Sequence, residues 1–153
     1  MKILRIICFC ICFLPLLLTA QKVELPFFVM QFEGKNIVYG KSVGFAGTTP
    51  DEFHAFEKFV ENATEEEMVS YLAHKDATVK AYAFWGLAHK YPVRARSEFA
   101  LLKGDKSEFG IMLGGCIMST TTLGEFCQQR LNGPMSYLFS QTSSSSKSKT
   151  ATH

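Results

Sequence analysis

Between Phe53 and Leu131, apolar side chains return every three or four residues, the period of a helix with one buried face. Phe53, Phe56 and Val60 make one such stripe; Met68 and Leu72 make a second. Val79, Tyr82, Ala83, Gly86 and Leu87 form a third, and Phe99 and Leu102, after Pro92, a fourth. A fifth runs through Phe109, Met112, Leu113, Cys116 and Ile117, with Gly114-Gly115 inside it as a close-packing point. A sixth comprises Leu123, Phe126, Cys127 and Leu131. Start signals stand before most of the stripes. Thr49-Pro50-Asp51-Glu52, Thr64-Glu65-Glu66-Glu67, Asp105-Lys106-Ser107-Glu108 and Thr122-Leu123-Gly124-Glu125 each place a capping oxygen three residues before an acid, and Asp76 is a simpler cap. Gly104 and Pro134 read as stops. The pattern predicts an all-α fold: six helices in three stacked hairpins over residues 49–135.

The flanks read differently. Lys2 and Arg5 precede an apolar run over residues 6–18, and Ala20 offers a small residue for cleavage, so residues 1–20 read as a secretory signal peptide. The run is too short for a membrane span, which takes about 20 residues. Cys8, Cys10 and Cys12 follow large residues, which argues against lipid attachment. Residues 21–48 form an N-terminal arm: Phe27 to Phe32 is apolar and β-prone, and Ile37-Val38-Tyr39 could return, so the stretch reads as a short hairpin, an extended arm or a short helix packed on the helices. Residues 136–153 are rich in Ser, Thr and Lys and read as a disordered tail.

Charge narrows the function. Without Lys2 and Arg5, 14 of the 16 basic residues remain against 14 acidic ones. A neutral chain lacks the concentrated basic face that nucleic acid demands. The charges are segregated, acidic over residues 51–67 and basic over residues 89–106, as on solvated helix faces.

The third stripe carries a family likeness. Asp76-Ala77-Thr78-Val79-Lys80-Ala81-Tyr82-Ala83-Phe84-Trp85-Gly86-Leu87 resembles the second helix of a HEAT-type repeat, and Met68-Val69-Ser70-Tyr71-Leu72 the helix before it. With Val43-Gly44-Phe45-Ala46-Gly47 and Gly115-Cys116-Ile117-Met118-Ser119-Thr120, the chain is similar to small exported bacterial HEAT-like proteins of unassigned function. The resemblance implies an α-solenoid fragment that binds other proteins, and it brings no catalytic residues.

Candidate chemistry is sparse. His54, His74 and His89 show no local pair of the kind zinc sites use. Ser and Thr sit at helix starts rather than in a G-x-S-x-G elbow, and no Gly-rich phosphate loop is present. No metal or cofactor is expected. Tyr82, Phe84 and Trp85 cannot all face one way on a helix, so one or two belong to the core and the remaining one is the candidate interaction surface, although the core is the ordinary place for each taken singly. Cys116 and Cys127 would lie about 16 Å apart on one continuous helix, beyond the reach of a disulfide. The cap-rich Ser119 to Thr122 stretch breaks that helix and makes them a candidate disulfide, against the ordinary alternative of two buried free thiols. These observations predict a periplasmic or secreted protein-interaction module without catalytic activity, whose partner is another protein of the cell envelope. It has no nucleic-acid partner and no membrane span once the signal is cleaved. The alternatives are a small-ligand binder or hydrolase using a pocket between hairpins, and a structural subunit of an envelope complex.

Overall fold

A fourteen-residue segment that is apolar on nearly every side cannot lie on a surface. Ala77–Lys90 is such a segment, and it is the central helix in a computed structural model that describes residues 26–133. The expected signal peptide (residues 1–20) and tail (residues 136–153) lie outside the described residues. Within them the elements run α1 (Pro26–Phe32), β1 (Ile37–Tyr39), α2 (Asp51–Asn62), α3 (Glu65–Tyr71), α4 (Ala77–Lys90), α5 (Pro92–Leu102), β2 (Glu108–Met112), β3 (Ser119–Thr122) and α6 (Leu123–Asn132). Ten of the 14 residues of α4 are buried, because α1, α2, α3, α5, α6 and the sheet all pack around it.

The all-α solenoid of stacked hairpins is therefore overturned: the fold is mixed, with a three-stranded sheet in the order β1-β2-β3. The fifth predicted helix is a β-hairpin. Glu108 pairs with Thr122, and the antiparallel ladder runs to Ile111 with Ser119. Three local features defeat the helical period there. Asp105 does not cap a helix; its Oδ1 accepts the Ser107 N–H at 2.9 Å and closes a turn. Gly115 has φ +61°, the left-handed region, which no helix interior contains. Ser119 to Thr122 carries three threonines, which favour the extended chain.

In the N-terminal arm a short packed helix forms rather than an extended or hairpin segment. Its β-prone run is α1, whose Phe28 and Phe32, four residues apart, share the buried face. Phe28 stacks on Phe59 with centroids 3.6 Å apart, and Phe32 lies 4.0 Å from Tyr82. A turn through Gly34 and Asn36, both at positive φ, leads to β1. That strand pairs in parallel with β2, Ile37 opposite Gly110, and not with its own neighbour in sequence.

Most of the caps hold. Thr64 and Glu67 form a reciprocal capping box at α3, as Thr122 and Glu125 do at α6. Asp76 does two jobs. Its Oδ1 accepts the N–H groups of Thr78 and Val79, and its Oδ2 accepts that of Gly34 at 2.8 Å, tying the turn after α1 to the start of α4. At α2 the cap position is Pro50, with no side-chain hydrogen bond, so the expected Thr49 box is absent. A cap of another kind closes the far end of α2. The Lys90 ammonium donates to the carbonyls of Val60, Glu61 and Ala63 at 3.0, 3.2 and 2.9 Å, where the helix dipole is negative.

Candidate functional site

Tyr82, Phe84 and Trp85 do not reach the surface. All three are buried, since α4 is covered on every side and has no outward face. Trp85 stacks on Phe56 and meets Phe53 and Phe126 edge-on. The Tyr82 hydroxyl accepts the Tyr39 N–H at 2.8 Å, so it closes the outer edge of β1. Burial raises its pKa, and the backbone hydrogen bond only partly offsets that. The three aromatics are the centre of the core and offer no interaction surface.

The two cysteines are not bonded. The expected break lies between them, but it is strand β3, and it separates their environments. Cys127 is buried on α6 and Cys116 is exposed on the β2–β3 loop; both are free thiols. Burial pushes the Cys127 thiol far above its ordinary pKa, with the Asp105 carboxylate acting in the same direction. Among the described residues no three His, Cys, Asp or Glu side chains gather as metal ligands would. His54 lies 3.4 Å from Glu57 on an exposed face, where Lys41 also meets Glu57 at 3.5 Å. Arg130 lies over the rings of Trp85 and Phe126 at 5.1 and 5.2 Å, its Nε buried without a hydrogen-bond partner among the described residues, and burial lowers its pKa.

Three of the six exposed large apolar side chains among the described residues lie on two joined loops. Residues 40–48, between β1 and α2, and residues 113–118, between β2 and β3, are joined through their backbones. Gly40 N–H donates to Met112 C=O at 2.8 Å, Gly115 N–H to Ser42 C=O at 3.0 Å, and Gly44 N–H to Gly115 C=O at 2.8 Å. Val43 N–H donates to Thr48 C=O at 3.0 Å, which closes the first loop on itself, and the Val43 side chain is buried beneath it. Gly44, Gly47 and Gly115 all stand at positive φ, so the loops take a shape that side-chain-bearing residues resist. On this braced base Phe45 is 102%, Ile117 79% and Met118 59% exposed. No charged residue occurs from Ser42 to Pro50 or from Phe109 to Gly124.

Sequence reasoning passed over these residues as a site. The helical spacing puts Ile117 on the apolar face of a helix that does not form, and Phe45 enters only through the family likeness. The available signal was composition: large apolar residues bracketed by glycines, in two uncharged stretches. The two segments that carried the likeness, Val43 to Gly47 and Gly115 to Thr120, are the ones the fold brings together. No protein-family model matches this chain, and no curated protein is detectably similar to it.

Proposed function

We propose that this domain is a non-catalytic protein-interaction module that docks through the joined loops at residues 43–48 and 113–118. The observation that carries the reading is the full exposure of Phe45 on one loop and the exposure of Ile117 and Met118 on the other, the two loops being joined by backbone hydrogen bonds. Exposed apolar groups on a preorganised base gain their burial on binding without a further cost of ordering the backbone. The partner surface is apolar and uncharged, because the loops supply no charge to match. The sequence features at Lys2, Arg5 and Ala20 support an exported setting, with a protein of the cell envelope as the partner.

Cys116 provides the test. It is exposed, while Cys127 is buried, so a benzophenone maleimide added to residues 21–153 attaches beside Ile117. Irradiation in a native envelope extract is expected to yield a discrete cross-linked protein. That product is expected to disappear when Phe45 and Ile117 are both changed to Ser. An unchanged set of products from the double variant would overturn the reading.

A further inference from the structure

Helix α5 turns one face to the core through Ala95 and Leu102, with Phe99 partly buried beside them. At 100° per residue, Val93, Ser97, Ala100 and Leu101 lie on the opposite side, at the i, i+4, i+7 and i+8 spacing of an apolar stripe. All four are exposed, Val93 at 83% and Leu101 at 80%. Arg96 and Lys103 run along one flank of this stripe, seven residues apart, and Lys106 follows. The two acids of this stretch are already taken: Glu98 pairs with Arg94 at 2.9 Å, and Asp105 with Lys80 at 2.6 Å. The face therefore sets Val93 and Leu101 around the small Ser97 and Ala100 and is positive along one side, where Arg96, Lys103 and Lys106 have no ion-pair partner among the described residues.

We infer that the outer face of α5 is a second docking surface, independent of the joined loops, and that its partner is an amphipathic helix with an acidic flank. The side chains favour a helix over other occupants. Ser97 and Ala100 are small and lie between the larger Val93 and Leu101, which lets a helix axis approach to about 8–10 Å and seat its own side chains between them. An antiparallel second copy of α5 does not fit. An antiparallel pair would set the Arg96–Lys103 flank against its own copy, like charge on like. The chain's own acidic helices do not fit either: α2 and α3 present no exposed large hydrophobic to meet Val93 and Leu101. Two large apolar side chains make a narrow contact for a lipid surface, which rewards a broad apolar face.

The test uses residues 21–153 and two synthetic 20-residue helical peptides. Both carry the same leucine stripe; one has glutamates on its flanks and the other lysines. The glutamate peptide is expected to bind about tenfold more tightly, a difference of about 1.4 kcal/mol, and to weaken as salt is added. Amide chemical-shift changes are expected on α5. Val93→Ser with Leu101→Ser, both at exposed positions, is expected to lower the affinity about tenfold, and Arg96→Gln with Lys103→Gln to remove the preference between peptides. Phe45→Ser with Ile117→Ser is expected to leave peptide binding intact, which separates this face from the loops. Equal binding of the two peptides, or shifts that map to the loops, would overturn the inference. So would phosphatidylglycerol vesicles that bind the protein and displace the peptide, since that outcome makes the face a lipid surface.

Discussion

Asp105 shows how one residue can be recognised as important and still be given the wrong task. Its position after Gly104 suggested a helix cap. In the structure it holds a turn and an ion pair, accepting hydrogen bonds from the Ser107 N–H and from the Lys80 ammonium. Partial burial works to raise its pKa, but the hydrogen bonds from Lys80 and Ser107 and the charge of Lys80 outweigh it and hold the carboxyl at about 2. A carboxylate depressed on folding adds stability above its unfolded pKa, near 3.8, and that stability is lost as pH falls towards 2. Asp105→Asn is expected to cost on the order of 1–2 kcal/mol at neutral pH. It is also expected to flatten the fall in melting temperature between pH 4 and pH 2; an equally steep fall in the variant would exclude Asp105 as its source. The cysteines give a second test at this scale. In residues 21–153, Cys116 is expected to react with a thiol reagent within seconds, and Cys127 only as the protein unfolds, because the first is exposed and the second buried. Two fast-reacting thiols in the native protein would contradict that burial. Lys90 could not be read in advance at all. The three carbonyls it caps lie 27 to 30 residues away, and no local pattern announces such a partner.

At the scale of elements, sequence reasoning succeeded where structure is decided locally. Thr64, Asp76 and Thr122 cap helices by bonding atoms within three residues, and the helices they start were all legible. It failed where partners are distant. Residues 109–117 satisfy a helical spacing and a strand equally well over so short a run. The decision belongs to β1, which offers the Asn36 carbonyl to the Gly110 N–H at 2.8 Å from more than seventy residues away. The run Phe27 to Phe32 is the converse case, a β-prone stretch that becomes a helix because Phe28 and Phe32 must both reach the core. The packing of α6 on α5 gives a prediction with an inverted sign. Gly→Ala inside a helix ordinarily stabilises by about 1 kcal/mol. At Gly124 a Cβ would meet the Lys103 carbonyl oxygen at 2.6 Å and that of Leu102 at 3.1 Å. Gly124→Ala is therefore expected to destabilise by about 1–3 kcal/mol. A denaturant midpoint at or above that of the parent would show that α6 can move away from α5.

At the scale of the whole molecule, sheet and helices are joined through the middle of α4. Tyr82 is the connection: its ring lies among Phe32, Phe56 and Trp85, and its hydroxyl holds the Tyr39 N–H. Tyr82→Phe keeps the ring and strands the amide, so it is expected to cost about 1–3 kcal/mol and to speed hydrogen exchange at Tyr39 before other β1 amides. Unchanged exchange at that amide would mean that the strand edge is held by something else. Tyr82, Phe84 and Trp85 are thus part of the reason the fold coheres, and none of the three is exposed.

The parallel pairing of β1 with β2 also governs when the protein can exist. β1 is made near the beginning of the chain, and the strand it must lie against ends at Met112. Until that segment emerges, β1 has no neighbour in the sheet, and the faces of α4 that meet β2 and α6 have nothing over them. A chain released from its N-terminus first, whether from a ribosome or through a translocation channel, cannot complete this domain piece by piece. More than seventy residues separate β1 from the strand it pairs with, so closing the sheet carries the loop-closure entropy of that whole span.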